Sequence, residues 1–215
     1  MNFWDERFAR EGELWGAEPS QGAKFAADYF AKCKARTVLD VASGYGRDSI
    51  FLAKNRGFEV LGIDSSAEGI RQANETAAHE KVAIRFVQAD VRMMPFGPES
   101  FDAILCNGIL SHLLPQEREM TAREIGRVLR KGGALVVSEF SLSRRPEGTK
   151  EVDAKLAGEN ETFREHDEMV HHYFRREELE FLFPSIKFEC IEEHEEARGE
   201  GREARLKWVL AGVKR

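Results

Sequence analysis

Glycines and an acidic residue at the end of an apolar run could together bind a ligand. Residues 40–46 read DVASGYG, in which Gly44 and Gly46 would let the backbone approach a ligand closely before a helix begins. The N–H groups at the start of that helix could donate to a polar or anionic group. A Gly-x-Gly turn after a strand also serves as a plain packing turn, so both interpretations stay open here.

Three further polar positions follow later apolar runs and suit different parts of a nucleoside. Asp64 lies at an offset from Asp40 at which an acid can bind ribose hydroxyls, or it caps the next helix. Asp90 could accept a hydrogen bond from an exocyclic amine such as that of adenine, or it forms a turn. Asn107 and Gly108 form a simple turn pair or allow close approach to a ligand.

Elements that alternate between strand and helix would position these residues. Apolar runs predict strands at residues 37–41, 58–63, 82–88, 101–106 and 134–140. Helical patterns between them cover residues 48–54, 67–78 and 115–129, with a turn at 131–133. This alternation predicts a parallel sheet, in which ligands bind beyond the carboxyl ends of the strands. The polar positions should therefore meet at one edge of the sheet.

The flanking segments complete a single domain predicted over residues 1–215. Residues 1–36 are interpreted as an N-terminal helical cover, with helices at 1–10 and from Ser20, an N-cap, to about residue 33. Residues 37–140 form the binding core, and residues 141–174 a variable lid segment, mostly loop or mobile cover. Residues 175–215 supply a final helix and two strands, at 186–191 and 206–213, joined by a charged hairpin loop over 192–205.

Composition excludes several classes of protein. The 215 residues carry a net charge of −6 without a dominant basic patch, which disfavours a nucleic-acid partner. Three cysteines with no CxxC suit a reducing cytoplasm. No secretory signal is visible, and no apolar run reaches the length of about 18 residues needed to span a membrane. We therefore predict a cytoplasmic location and no membrane contact, while the oligomeric state stays open.

Five motifs in register resemble those of class I S-adenosylmethionine-dependent methyltransferases. They read VLDVASGYGR, VLGIDSS, FVQADV, FDAILCN and LRKGGAL, and they cover about residues 37–140. FWDERF at residues 3–8 and WGAEP at 15–19 resemble the small-molecule branch that includes thiopurine- and tellurite-resistance-type methyltransferases. The resemblance implies a Rossmann-like, doubly wound α/β fold whose seven-stranded, mostly parallel sheet has an antiparallel last strand. Ala42 departs from the family pattern, which has glycine there.

The resemblance also implies roles for individual residues, and it places Asn107 and Gly108 at the methyl-transfer end of the site. Gly44 and Gly46 would lie against the methionine part of S-adenosylmethionine, Asp64 would bind the ribose hydroxyls, and Asp90 with the Val91 N–H would bind adenine. Aromatic faces can stabilise the sulfonium by cation–π contact, for which Trp4, Trp15 and Tyr45 are candidates, with ordinary packing as the alternative. The implied cofactor-binding set is Trp15, Asp40, Ala42, Ser43, Gly44, Tyr45, Gly46, Asp64, Ser65, Asp90, Val91, Asn107 and Gly108.

Two residues are candidates for catalysis. His112 follows the fourth strand and could take a proton from an oxygen or nitrogen acceptor, or it only packs at a helix start. Tyr173 stands beside His166, His171 and His172 in the lid segment, which either carries acceptor contacts or is a plain solvated segment. No further ligand is spaced convincingly for a metal, so none is predicted.

These residues predict methyl transfer to a small-molecule acceptor by in-line displacement, with S-adenosylhomocysteine as product. A non-catalytic S-adenosylmethionine-binding protein is one alternative. A nicotinamide-dependent oxidoreductase is another, although Ala42 and Ser49 interrupt the G-x-G-x-x-G fingerprint. A protein or tRNA methyltransferase is disfavoured by the acidic balance and by the lack of an Asn-Pro-Pro-Tyr-like motif after the fourth strand.

Overall fold

A seven-stranded sheet organises the chain. The computed structural model describes residues 3–144, 150–151, 158–164, 169–198 and 202–215. Its strands are β1 (Thr37–Val41), β2 (Glu59–Asp64), β3 (Arg85–Gln88), β4 (Phe101–Asn107), β5 (Leu129–Phe140), β9 (Ile186–Arg198) and β10 (Arg202–Lys214). The sheet order is β3-β2-β1-β4-β5-β10-β9, and β10 is antiparallel to both of its neighbours. The predicted Rossmann-like, mostly parallel sheet with an antiparallel last strand is confirmed.

Helices cover both faces of this sheet and connect its strands. They are α1 (Phe3–Glu11), α2 (Gln21–Lys32), α3 (Arg47–Arg56), α4 (Ala67–His79), α5 (Pro115–Val128) and α6 (Arg176–Leu182), with a 3-10 turn at Leu110–His112. Ser20 caps α2 as predicted, because its side chain accepts from the Ala23 N–H at 3.0 Å. Ser66 caps α4 by accepting from the Gly69 N–H, which leaves Asp64 for another role.

Two apolar layers enclose the sheet, because successive side chains of a strand point to opposite faces. Leu39 and Val41 of β1 belong to the layer shared with Ile125 of α5. Val38 faces the other layer, where it joins Phe30 of α2. Burial on both faces explains why the β1 sequence is almost continuously apolar.

Three predicted segments differ from the structure. The predicted turn at 131–133 is part of β5, where Gly132 at φ +73° accompanies a register shift against β4. The lid segment was predicted as mostly loop, but it contains a small antiparallel sheet of β6 (Lys150–Glu151), β7 (Thr162–Arg164) and β8 (Val170–His172). The charged stretch 192–205 was predicted as a loop, but β9 runs to Arg198 and β10 starts at Arg202.

Cross-strand pairing explains how so many charges fit into the β9–β10 hairpin. Glu196 lies opposite Arg205, and Glu195 lies opposite Leu206. Glu195 also forms an ion pair with Arg144 at 2.5 Å. Pairs of opposite charge across neighbouring strands stabilise a sheet, so a polar sequence can continue as strand.

Among the described helices, none is long and apolar enough to cross a bilayer.

Candidate active site

A cleft of about 940 Å³ opens where β1, β2 and β4 end. It is lined by most of the predicted site residues, although these elements are far apart in sequence. The predicted residues in its lining are Trp15, Asp40, Ala42, Ser43, Gly44, Tyr45, Asp64, Ser65, Asp90, Val91, Asn107, Gly108 and His112. Gly46 and Tyr173 do not line it.

The Asp64 carboxylate holds the glycine loop against the end of β2. One carboxylate oxygen accepts from the Gly44 N–H at 2.8 Å, and the other accepts from the Ser66 N–H at 2.8 Å. Burial raises the pKa of Asp64, while these backbone N–H groups act to lower it. A carboxylate has about four lone-pair sites, so Asp64 can accept further hydrogen bonds from a ligand in the cleft.

Gly46 has a packing role and does not line the cleft, so its contact with a ligand stays a prediction. It starts α3 with φ +83°, a left-handed conformation that favours glycine. A Cβ atom added at Gly46 would lie 2.9 Å from both Ala73 Cβ and Phe86 Cζ. The loop can therefore pack against α4 and β3 only with glycine at this position. Ala42, at φ +61°, adopts the same strained region with a side chain present.

Beneath the loop, two buried aspartates lie at the end of β1 and the start of α3. Asp40 accepts a hydrogen bond from Ser49 Oγ at 2.6 Å. Burial, together with repulsion from Asp48, raises the pKa of Asp40 to about 8. Asp48 accepts from the Ser20 N–H at 2.8 Å and from the Asn107 amide at 2.9 Å. Sequence reasoning missed Asp48, although it stands just after the glycine loop.

The β9–β10 hairpin contributes charged residues to the cleft that sequence reasoning also missed. Lys207 Nζ donates to Asn107 Oδ1 at 3.1 Å and forms an ion pair with Glu196 at 2.8 Å. Arg205 lies two residues before Lys207 and also lines the cleft. The alternation of Arg205 and Lys207 in a strand pattern was the available signal, but residue 205 was assigned to a loop.

Asp90 stands at another part of the cleft and is ion-paired. Arg92 donates to both carboxylate oxygens, with Nη2 at 2.7 Å from Oδ2 and Nε at 2.9 Å from Oδ1. Hydrogen bonds from Arg92 lower the pKa of Asp90, despite an opposing effect of burial. Arg92 also pairs with Glu117 of α5. A ligand amine at Asp90 would therefore have to share this carboxylate with Arg92.

An aromatic cover formed by Trp4, Phe8, Trp15 and Tyr45 lies over the glycine loop. The rings of Trp15 and Tyr45 stack, with centroids 6.1 Å apart. Tyr45 Oη donates to the Gly16 carbonyl at 2.7 Å. A Cβ atom added at Gly44 would lie 3.2 Å from Phe8 Cζ, so α1 packs directly on the loop. Trp4 therefore both packs within this cover and faces the cleft.

His112 faces the cleft from the end of the 3-10 turn. Buried Glu139 holds this turn by accepting from the Leu110 N–H at 2.8 Å and from Ser111 Oγ at 2.5 Å. The His112 ring lies 5.0 Å from Trp4 and 4.5 Å from His171, measured between centroids. The turn thus places a titratable ring beside Gly108, where the predicted methyl acceptor would lie.

Tyr173 lies away from the cleft. It is fully buried beside Phe140 and Phe163, with ring centroids 5.8 Å and 5.7 Å away. Its assignment as a catalytic residue therefore has no support in the geometry. His172 faces Glu159 at 3.2 Å, and His166 lies outside the described residues. Within the described part of the chain, no three His, Cys, Asp or Glu residues are grouped so as to hold a metal ion.

The sequence of this chain is similar to those of known methyltransferases. Residues 38–133 match a family described as a methyltransferase domain. A glycine/sarcosine N-methyltransferase of Aphanothece halophytica is 33% identical over 139 residues, which are 63% of this chain and 50% of the relative. The chain thus spans about half the length of that curated relative.

Two solved structures resemble most of the chain. The PH0226 protein from Pyrococcus horikoshii OT3 has a TM-score of 0.74 and 22% identity, covering 97% of this chain and 99% of that chain. A SAM-dependent methyltransferase from Methanosarcina mazei has a TM-score of 0.72 and 25% identity, covering 83% of this chain and 92% of that chain. The match over residues 38–133, the curated relative and the Methanosarcina mazei structure agree that this part of the chain is similar to S-adenosylmethionine-dependent methyltransferases.

Proposed function

We propose that this chain transfers a methyl group from S-adenosylmethionine to a small-molecule acceptor. One observation carries the proposal: the Asp64 carboxylate fixes the Gly44 N–H at the carboxyl edge of the sheet and still faces the cleft. In open α/β sheets this edge is where ligands bind. The nicotinamide alternative is less well supported, because it assigns no role to Asp90 and Val91.

The residues present fit the cofactor. Asp64 would accept hydrogen bonds from the ribose hydroxyls, and Asp90 with Val91 would lie at the adenine. The Gly44 backbone and Asp40 would lie at the methionine part, under the aromatic cover. Ligand pockets occupy roughly 300–1,000 Å³, so a cleft of about 940 Å³ can hold the cofactor and an acceptor together.

Alignment is the main task of the protein in this reaction. Bound S-adenosylmethionine supplies a methyl group on a positively charged sulfur, a good leaving group that departs as a neutral thioether. The chain must exclude water and hold the acceptor atom in line with that bond. Trp4, Trp15 and Tyr45 would exclude water and offer aromatic faces to positive charge. His112 would take the proton that an oxygen or nitrogen acceptor loses.

The acceptor and the setting are also proposals. The relatives named above include an enzyme whose name gives glycine and sarcosine as substrates, which supports a small acceptor here. Three free cysteines support a cytoplasmic location, where thiols stay reduced. The net charge of −6 argues against nucleic acid as the acceptor.

A methyl-transfer assay tests the proposed function. The purified chain would be incubated with S-adenosylmethionine and a panel of small carboxylates, amines, phenols and thiols, and mass spectrometry would detect methylated products. We expect formation of S-adenosylhomocysteine that depends on one class of acceptor. Binding of the cofactor without transfer to any member of the panel would favour the non-catalytic alternative.

A further inference from the structure

Two cations of β10 form one wall of the cleft. Arg205 and Lys207 are two residues apart, so their side chains share a face of the strand. Both are buried, with 4% and 7% exposure. The Arg205 guanidinium carbon lies 4.4 Å, and Lys207 Nζ 5.2 Å, from the centroid of the Phe140 ring. This wall, defined by Arg205, Lys207 and Phe140, is called the cationic wall.

The cationic wall lies at the end of the cleft where the acceptor is expected. A Cβ atom added at Gly108 would lie 3.7 Å from Lys207 Nζ, so the ammonium group stands next to the Gly108 backbone. The His112 and Phe140 rings are 6.5 Å apart. An acceptor between Gly108 and His112 would therefore have Phe140 and the two cations within reach.

The charges at this wall select among acceptors. Glu196 forms an ion pair with Lys207, so its negative charge is already balanced and does not favour a cationic acceptor. The Arg205 guanidinium and the Lys207 ammonium both line this end of the cleft, so one anionic group of a ligand can contact both. A guanidinium offers a planar fork of donors that matches a carboxylate.

The geometry points to an acceptor that carries a carboxylate, bound at the cationic wall by Arg205 and Lys207. This inference rests on the proposed function and specifies its substrate class. The carboxylate replaces some of the contacts that Arg205 and Lys207 already make, or it adds to them. The remainder of the acceptor packs on Ile109, Leu113 and Phe140, which give this end of the cleft apolar surface.

Three ligands of matched shape test the inference: benzoate, benzamide and benzylamine. Each would be titrated by calorimetry into the chain saturated with S-adenosylhomocysteine. We expect benzoate to bind at least about tenfold more tightly than neutral benzamide, and benzylamine to bind most weakly. Benzoate binding no more tightly than benzamide, or neither binding, would overturn the inference. The comparison needs no variant, so it stands even if a changed chain fails to fold.

Variants locate the carboxylate on the wall. Arg205→Gln should weaken benzoate binding about tenfold or more while leaving S-adenosylhomocysteine affinity unchanged, and Arg205→Lys should weaken it less. Arg123→Gln, at an exposed position on α5, is the matched control and should change neither affinity. Unchanged benzoate affinity in Arg205→Gln would contradict the assignment. If the unmodified chain does not bind S-adenosylhomocysteine but still prefers benzoate to benzamide, only the proposed function is refuted.

Discussion

The buried carboxyl of Asp40 makes the stability of the chain depend on pH in a predictable direction. Burial and the neighbouring Asp48 raise its pKa to about 8 in the folded chain. In the unfolded chain the pKa of an aspartate is about 3.9. The folded chain therefore holds a proton that the unfolded chain releases. The stability contributed by this proton is fully present below about pH 4 and is lost as pH rises through about 8.

The perturbation is Asp40→Asn, which removes the titration and keeps an oxygen that can accept from Ser49 Oγ. A difference of one bound proton changes the free energy of unfolding by about 1.4 kcal/mol per pH unit, or about 2.7 kcal/mol from pH 5 to pH 7. Carboxyl groups elsewhere titrate in both chains, so their effects cancel in the difference. We expect the wild-type chain to lose this amount relative to the variant.

Urea unfolding at pH 5, 6, 7, 8 and 9, followed by circular dichroism, measures the difference. Ser49→Ala provides a second arm, because it removes a hydrogen bond that favours the ionised carboxylate. In that variant the loss of stability should extend to higher pH than in the wild-type chain. Parallel pH profiles for wild type and Asp40→Asn would refute the reasoning, since they would show that Asp40 binds no extra proton in the folded chain.

Three further substitutions follow from the loop and the turn. Ala42→Gly should raise the free energy of unfolding by about 1 kcal/mol in urea titrations, because it relieves a left-handed alanine; a decrease would contradict that. Gly46→Ala should lower it by about 2 kcal/mol or more, because a Cβ atom would meet Ala73 and Phe86; an unchanged melting temperature would contradict that packing. His112→Ala should lower turnover by about 10²-fold at unchanged cofactor affinity, and unchanged turnover would exclude it as the base.

The core of the site was predictable because its signals are local. Each of Asp40, Asp64 and Asn107 ends or follows an apolar strand, and a parallel sheet brings such ends to one edge. Even the strained Ala42 stands out in sequence as a departure from a glycine pattern.

The acceptor end was not predictable, because long-range pairing determines it. Lys207 meets Asn107 across 100 positions of the chain, which no local pattern encodes. Glu196 and Arg205 occur in a charged run typical of a loop, yet cross-strand pairing makes it a strand. Tyr173 was grouped with neighbouring histidines by sequence proximity, but its ring is buried beside Phe140 and Phe163 and does not line the cleft.

Calorimetric titration with S-adenosylmethionine, S-adenosylhomocysteine and NADH tests the central claim most directly. We expect the first two to bind and NADH not to bind. Asp64→Ala should weaken S-adenosylhomocysteine by about 10- to 100-fold, since it removes two hydrogen bonds to a charged acceptor. The exposed Asp28→Ala on α2 should leave the affinity unchanged. Binding of NADH alone, or equal affinity in Asp64→Ala and wild type, would show that this cleft is not the S-adenosylmethionine site.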